Sequence, residues 1–315
     1  MPKKNFYFSL GLILFLSLPL GHSQAAPIII DHNTRSISLI PEVQINNAKS
    51  DLHIAYGHTS HGSQLIDGMN GLVTFMNNKG ATNNLYAWNN GGIDGALDLH
   101  DGAMAGDVGY YPDWVNYTRA YLGTPDGATG RGTGLNADVN VIIWSWCGQV
   151  SSLDESTMIS NYLAPMTALE EDYPGIKFVY MTGHLDGGGL SGNLHLRNEQ
   201  IRAYCRDNDK ILYDFEDIES YDPDNVYFGD KIPTDNCDYD SDANGSQDKN
   251  WALDWQGTHT LNVDWYDCGA AHSQSLNANL KAYAAWWLWA RLAGWDGQTS
   301  SDTAPPNIPN GLFVD

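Results

Sequence analysis

The stretch LHIAYGHTSHGSQ, from Leu52 to Gln64, carries the clearest fold signal in the 315-residue chain. Its apolar residues 52–57 predict a strand, and a helix is predicted to follow at about 64–76. A strand, a tight turn and a helix is the arrangement in which α/β folds present ligand-facing groups. Ser60 lies in this turn, where helix N–H groups can stabilise an anion. It is therefore a candidate nucleophile, or else the N-cap of the helix.

Apolar and amphipathic runs alternate along the rest of the chain. Further strands are predicted at 139–147, 176–182 and 211–215, and further helices at about 155–171, 198–206 and 277–292. Continuously apolar strands indicate burial on both faces, as in doubly wound parallel sheets. The sequence therefore predicts an α/β protein with a three-layer α/β/α, flavodoxin-like parallel sheet. The tryptophans of the last helix are expected to be core.

Two long regions interrupt this alternation. Residues 77–133 are rich in Gly and Asn, hold one helix-like run near 114–122, and are expected to fold over the sheet edge. Residues 221–265 are acidic and aromatic, with little periodicity. Loops of this length are usually functional or stabilised by ions. Five aromatic residues of these loops are candidates to stack on a sugar ring: Tyr110, Tyr111, Trp114, Trp251 and Trp255.

The chain ends differ in composition from the middle. Residues 1–25 combine a basic start, an apolar stretch and a small-residue cleavage site at Ala25, which predicts a signal peptide. Residues 26–296 are expected to form one large domain. Residues 297–315 are expected to be a linker whose end, TAPPNIPNGLFVD, resembles the opening of a fibronectin type III module. The protein is expected to be secreted or periplasmic, without membrane association after cleavage.

The net charge narrows the range of partners. The formal charge is −22, and loss of Lys3 and Lys4 with the signal peptide makes it −24, because residues 1–25 contain no acid. Nucleic acid and anionic lipid both require a basic face, so neither is an expected partner. The charge suits a solvated extracellular protein or one that binds cations.

Four cysteines remain in the predicted domain, and an exported protein can oxidise them. Cys237 and Cys268 flank a loop-rich acidic region and are the preferred disulfide pair. Cys147 lies in an apolar run and Cys205 in a helix-like run, so each is equally compatible with a buried free thiol. Four cysteines allow three pairings, and the sequence does not choose among them.

His272 lies just before the last predicted helix, in DCGAAHSQSLN. A nucleophilic serine needs a base within hydrogen-bond reach. GHTSHG at 57–62 resembles the G-H-x-S-x-G variant of the first block of SGNH (GDSL-type) hydrolases, and residues 272–283 resemble their final block. The resemblance implies a serine esterase with Ser60 as nucleophile, His272 as base and no cofactor for catalysis. It also implies O-acyl substrates, with O-acetyl esters on a polysaccharide, or another acylated small molecule, as the expected case.

The chain departs from the family pattern at two places. The family usually has an aspartate three residues before the histidine, where this chain has Gly269, so Asp267 is chosen as the orienting acid. The family's third block ends in asparagine, where this chain has Gln149, whose side-chain amide is the expected oxyanion donor. Expected substrate contacts are His58, His61 and His184.

Two other functions stay open. His58, His61 and His184, together with Asp186, could form a zinc site, which would make the protein a zinc-dependent hydrolase. The departures from the family pattern also leave open a non-catalytic carbohydrate-binding or adhesion module on the same fold.

An acidic loop predicts a separate structural calcium site. Asp240, Asp242, Asn244 and Asp248 occupy the first, third, fifth and ninth ligand places of a calcium loop, with Gly245 at the turn. The twelfth place is a tryptophan and not the usual glutamate, so another acid would have to complete the shell. A bound Ca²⁺ would brace the loop, and a solvated acidic loop is the alternative.

Overall fold

A computed structural model of the protein describes residues 26–298. The predicted signal peptide at 1–25 and all but the first two residues of the predicted linker and fibronectin-like segment at 297–315 lie outside the described residues. Within 26–298, no helix combines the length and the apolar character needed to cross a membrane.

Seven strands form one sheet in which every neighbouring pair is parallel. They are β1 (Ile28–Ile30), β2 (His53–Gly57), β3 (Trp88–Asn89), β4 (Leu97–Met104), β5 (Val141–Trp144), β6 (Lys177–Met181) and β7 (Ile211–Tyr213). The spatial order is β1-β7-β6-β5-β2-β4-β3. The five central strands therefore follow the order 2-1-3-4-5, which is the flavodoxin-like order. Two further strands, β8 (Asp238–Tyr239) and β9 (Lys249–Asn250), form a separate antiparallel pair.

Helices flank this sheet. They are α1 (Glu42–Asp51), α2 (Ser60–Asn78), α3 (Asp113–Leu122), α4 (Glu155–Met158), α5 (Ala164–Asp172), α6 (Asn193–Asp207), α7 (Phe215–Glu219), α8 (Trp251–Thr258) and α9 (Ser275–Leu292), with a π-helical turn joining α4 to α5. Helix α9 packs against α1, α2 and α7, whereas α3 contacts α5 and α4 contacts α6. The predicted α/β fold with a parallel central sheet is confirmed, and its layers agree with an α/β/α sandwich.

Side-chain burial explains why these segments take this arrangement. Every residue of β5 is buried, as expected for a strand covered on both faces. Gly57 ends β2 against the Trp144 ring, and a Cβ there would lie 2.4 Å from that ring, so only glycine fits. On α9, Trp286 and Trp289 are fully buried, which confirms that the tryptophan-rich helix is core.

The region 77–133 does more than fold over an edge, so that prediction was wrong. It supplies β3 and the eight-residue β4, which pairs along the whole length of β2. Leu97, Leu99 and Met104 of β4 are buried, while the residues between them are partly or fully exposed. This short period-two pattern is weak among so many glycines. Trp114 and Trp251 are also buried, contrary to their predicted role as loop platforms.

The preferred disulfide is not formed, because all four cysteines are free thiols in residues 26–298. Cys237 Sγ lies 3.6 Å from the hydroxyl of Ser273. Cys268 Sγ lies 3.4 Å from the side-chain nitrogen of Asn279. The two predicted partners therefore face different neighbours, and the Cys237–Cys268 pairing is corrected.

Candidate active site

The candidate site lies at the topological switch point of the sheet, where the order of the strands reverses between β2 and β5. Helix α2 leaves the end of β2 on one side, and the loop after β5 leaves on the other, although β2 and β5 are neighbours in the sheet. Ligands of open α/β sheets bind in the crevice at such a switch point. Ser60 begins α2, and Cys147 and Gln149 follow β5, so all three reach this crevice.

Ser60 and His272 meet there although 212 residues separate them. His272 Nε2 lies 3.1 Å from Ser60 Oγ, within hydrogen-bond distance. Ser60 is the first residue of α2, so the alternative that it serves as N-cap is wrong. The N-cap is Thr59, whose side chain does not cap the helix and instead bonds Asp107. The first N–H groups of the 19-residue helix therefore point towards the site without a side-chain acceptor.

The loop before α9 holds His272 in an unusual conformation. The backbone φ of His272 is +62°, in the left-handed region that few non-glycine residues adopt. Such outliers concentrate at functional sites. Gln64, one turn after Ser60, donates its amide to the carbonyl of Ala271 at 2.5 Å. Helix α2 therefore positions both the hydroxyl and the loop that carries the imidazole.

Asp267, the predicted orienting acid, does not contact His272. Its Oδ1 accepts a hydrogen bond from the Ser275 hydroxyl at 2.7 Å, at the start of α9. Within residues 26–298, His272 makes no hydrogen bond to any carboxylate. The arrangement is thus a serine–histidine dyad, and the assignment of Asp267 is corrected.

The backbone of Cys147 holds the side chain of Gln149, the predicted oxyanion donor. Its Oε1 accepts the backbone N–H of Cys147 at 3.1 Å, which fixes the opposite Nε2 as a donor facing away from that bond. The Gln149 side chain also packs against Gly109, where a Cβ would lie 2.3 Å from it. The position of Gln149 beside Cys147 keeps it next to Ser60, because Cys147 Sγ lies 3.7 Å from Ser60 Oγ.

A second cluster of reactive groups adjoins Ser60. His61 Nδ1 lies 3.3 Å from Cys147 Sγ, and His61 Nε2 lies 2.9 Å from Asp235 Oδ2. Burial lowers the pKa of His61, but its bonds to Asp235 and Cys147 outweigh burial and raise that pKa overall. Burial raises the pKa of Cys147, but hydrogen bonds from His61, Ser60 and Thr59 outweigh it and hold the pKa below the ordinary thiol value.

Three imidazoles are stacked in this cluster. The His61 ring lies against His184 at 3.7 Å and against His272 at 4.6 Å. His184 Nδ1 bonds the Leu185 carbonyl at 2.7 Å, while its buried Nε2 has no hydrogen-bond partner among residues 26–298. Burial, followed by the charge on His61, lowers the pKa of His184. His184 is therefore a neutral cover for the His61 ring.

Metal binding was one predicted alternative, and the group of possible ligands in the structure differs from the predicted set. His61, His184 and Asp235 place ligand atoms within 4.8 Å of one another. The two rings are parallel to within 2°, so their in-plane lone pairs do not converge, and a metal would require a ring to turn. The other two predicted ligands, His58 and Asp186, bond to other groups. His58 Nε2 bonds Asp101 at 2.6 Å, and Asp186 bonds the N–H of Gly188.

The predicted calcium ligands bond to their own loop. Asp240 accepts the backbone N–H groups of Asp242, Asn244 and Gly245, and these bonds lower its pKa. Asp248 accepts both the N–H and the hydroxyl of Ser241. The ligand-atom groupings found in residues 26–298 do not include these aspartates. Calcium binding here stays a prediction.

Two of the five aromatic candidates for sugar stacking are exposed. Tyr110 is 59% exposed and Tyr111 is 46% exposed. Tyr110 also lines a cavity of about 140 Å³ with Asp107, the residue that bonds Thr59 next to Ser60. These two tyrosines remain candidates for sugar stacking, since their rings are accessible.

The chain has no significant match among known protein families, curated protein sequences or solved structures.

Sequence reasoning missed Cys147 and Asp235 as members of the site. Cys147 could have been found, because it lies just after the buried strand β5, whose end is at the switch point of the sheet. Asp235 could not have been found, because it lies in the region 221–265, which shows no periodicity. The full chain also has 38 acidic residues, so a single aspartate carries little information.

Proposed function

We propose that the protein is a serine esterase that hydrolyses O-acyl esters with Ser60 as nucleophile and His272 as general base. The observation that supports this proposal is the 3.1 Å contact between Ser60 Oγ and His272 Nε2 at the switch point of the sheet. Two residues that are 212 positions apart come into hydrogen-bond reach in the crevice where α/β proteins bind ligands. The resemblance to SGNH hydrolases assigned the same two roles independently.

The proposed reaction follows acyl transfer to serine. His272 takes the Ser60 proton as Oγ attacks the ester carbonyl, and the proton then passes to the leaving alcohol. The oxyanion that forms would be stabilised by the uncapped N–H groups at the start of α2 and by Gln149 Nε2. Water then attacks the acyl-serine with His272 again acting as base, the bond from the acyl carbon to Oγ breaks, and the proton returns to Ser60 as the carboxylic acid leaves.

The proposed substrate is an acetylated or otherwise acylated polysaccharide. Tyr110 and Tyr111 present exposed rings on which sugar rings can stack, and Tyr110 lines a cavity with Asp107, which bonds Thr59 next to Ser60. The net charge of −22 disfavours polyanions as substrates. Export directed by residues 1–25, as the sequence predicts, would bring the domain to extracellular polymers.

One observation favours a non-catalytic carbohydrate-binding module instead. His272 lacks a carboxylate partner within the described residues, so nothing there fixes its tautomer or stabilises its protonated form. A dyad of this kind is expected to turn over more slowly than a complete triad. The two functions therefore differ in whether any hydrolysis depends on Ser60.

The test is hydrolysis of p-nitrophenyl acetate by the wild type, Ser60→Ala and Ser63→Ala, each with and without EDTA. Ser63 is the matched control, since its hydroxyl bonds the Ser60 carbonyl one turn away. We expect steady-state turnover that falls steeply in Ser60→Ala and is retained in Ser63→Ala and in EDTA. Turnover in Ser60→Ala at the wild-type rate would reject the proposal. Loss on chelation alone would favour a zinc-dependent hydrolase.

A further inference from the structure

A second set of nucleophile, base and acid lies beside Ser60, and the esterase mechanism above does not use it. Cys147 follows β5, His61 lies in the first turn of α2, and Asp235 comes from the loop before β8. The Sγ–Nδ1 distance is 3.3 Å and the Nε2–Oδ2 distance is 2.9 Å. The fold therefore joins three distant segments through the two ring nitrogens of a single imidazole.

The His61 ring is held on its edges and on both faces. Cys147 and Asp235 occupy its two nitrogens, and the rings of His184 and His272 cover its two faces. A base that is fixed in this way keeps its orientation towards the sulfur. The Asp235 carboxylate stabilises a protonated His61, and a protonated His61 stabilises a thiolate at Cys147.

We propose that Cys147, activated by His61 and oriented by Asp235, is a second nucleophile of this site that accepts the acyl group of an ester or thioester. Its Sγ lies 3.7 Å from Ser60 Oγ, so a carbonyl carbon bound against Ser60 is also within reach of the sulfur. The class of substrate rests on the proposed esterase function, whereas the reactivity of the thiolate does not.

The step balances without any further reactant. The Cys147 thiolate attacks the acyl carbon, the carbon–sulfur bond forms, and the bond from carbon to the leaving oxygen breaks. The leaving alkoxide takes the proton from His61, which ends neutral. Water then attacks the thioester, with His61 accepting one proton, so that the carboxylic acid is released and the thiolate and imidazolium are restored.

The other three cysteines provide an internal comparison. Cys205 and Cys237 are buried, and Cys268 is half-buried. Burial raises the pKa of Cys237 to about 12 and the pKa of Cys268 to about 12, and it raises that of Cys205 further. Within the described residues, Cys147 is thus the cysteine whose surroundings favour the thiolate, and a thiol reagent should select it.

The test is the rate of alkylation by iodoacetamide at pH 7, with the modified cysteine located by peptide mass mapping. In the intact wild-type protein we expect Cys147 to react at least about 10-fold faster than Cys268, which corresponds to one unit of pKa. His61→Asn and Asp235→Asn should each slow Cys147 by about 10-fold, and Cys268→Ser should leave its rate unchanged. Thermal melting identifies any variant that fails to fold, and Asp235→Asn then carries the test alone.

A second arm tests acyl transfer. Ser60→Ala, incubated with p-nitrophenyl acetate, should gain one acetyl group on Cys147. An equal alkylation rate at Cys147 and Cys268 would overturn the proposal. So would a Cys147 that becomes reactive only after EDTA removes a bound metal detected by elemental analysis. Failure of the esterase proposal is separable, because iodoacetamide alkylation requires no ester.

Discussion

Gln64 donates its side-chain amide to the carbonyl of Ala271 at 2.5 Å, which couples the helix that begins at Ser60 to the loop that carries His272. The same side chain accepts a hydrogen bond from the buried ammonium of Lys281 through its Oε1. Gln64 is completely buried, so no water replaces these bonds when they are removed. It is therefore a positioning residue for His272.

Gln64→Glu separates the two bonds, since a carboxylate keeps the acceptor for Lys281 but loses the donor to Ala271. We expect the loop to shift and kcat for p-nitrophenyl acetate to fall by about 10-fold or more, with little change in KM. Thermal melting should show a folded variant. An unchanged kcat in a folded Gln64→Glu protein would show that this bond does not position His272.

The pairing of Ser60 with His272 leads us to expect different effects on kcat/KM from substitutions at three side chains. His272→Ala should lower kcat/KM by about 10³-fold, and Ser60→Ala combined with His272→Ala should be no worse than either change alone, because the two act as a unit. Asp267→Asn should change kcat/KM by less than about 2-fold, since Asp267 bonds Ser275 and not the imidazole. A large loss in Asp267→Asn would restore it as the orienting acid.

Local patterns predicted the fold well, and the resemblance to SGNH hydrolases singled out Ser60 and His272, which the structure brings within 3.1 Å. The buried strands β2, β5 and β6 are visible in the sequence as apolar runs. Ser60 and His272 each border a helix that the sequence also predicts. The strands depend on neighbouring residues alone, which is why sequence reasoning finds them, whereas the pairing of Ser60 with His272 is what the family resemblance implies.

The rest of the site depends on contacts between distant loops. Asp235 reaches His61 across 174 residues from a region without periodicity, and no local rule indicates that contact. The orienting acid was misassigned for a related reason: proximity along the chain placed Asp267 near His272, but the turn into α9 directs its carboxylate to Ser275. β4 was missed because its alternation is diluted by glycines.

A buried ion pair should control stability. Lys281 and Glu219 are almost completely buried, with Nζ and Oε2 2.7 Å apart. Lys281→Met leaves Glu219 as an unpaired buried carboxylate and should lower the free energy of unfolding by about 3–5 kcal/mol in urea titrations. Lys281→Met combined with Glu219→Gln should recover part of that loss. If the double variant is no more stable than Lys281→Met, the pairing of charges does not explain the effect.

Exposed tyrosine should affect polymer substrates selectively. Tyr110→Ala removes a ring from the rim and should raise KM for an acetylated polysaccharide by about 2–10-fold, the effect expected for losing one stacking contact. KM for p-nitrophenyl acetate should not change, because that ester is too small to need the rim. Tyr110→Phe keeps the ring and is the control. Equal effects of Tyr110→Ala on both substrates would argue against a stacking role.

A partly buried histidine far from the dyad should make stability depend on pH. His195 Nδ1 lies 3.1 Å from Glu216 Oε1, and this hydrogen bond raises the pKa of His195 against the opposing effect of burial. A pKa raised by folding means that the stabilisation is fully present below about pH 6.5, the ordinary histidine value, and is lost as pH rises through the folded pKa. His195→Gln should therefore reduce the free energy of unfolding, measured in urea, more at pH 5.5 than at pH 8.5.

His100→Gln is the control, since the His100 ring bonds the Tyr121 hydroxyl and not a carboxylate. A pH-independent loss in His195→Gln would mean that packing, and not the charge of His195, stabilises this position.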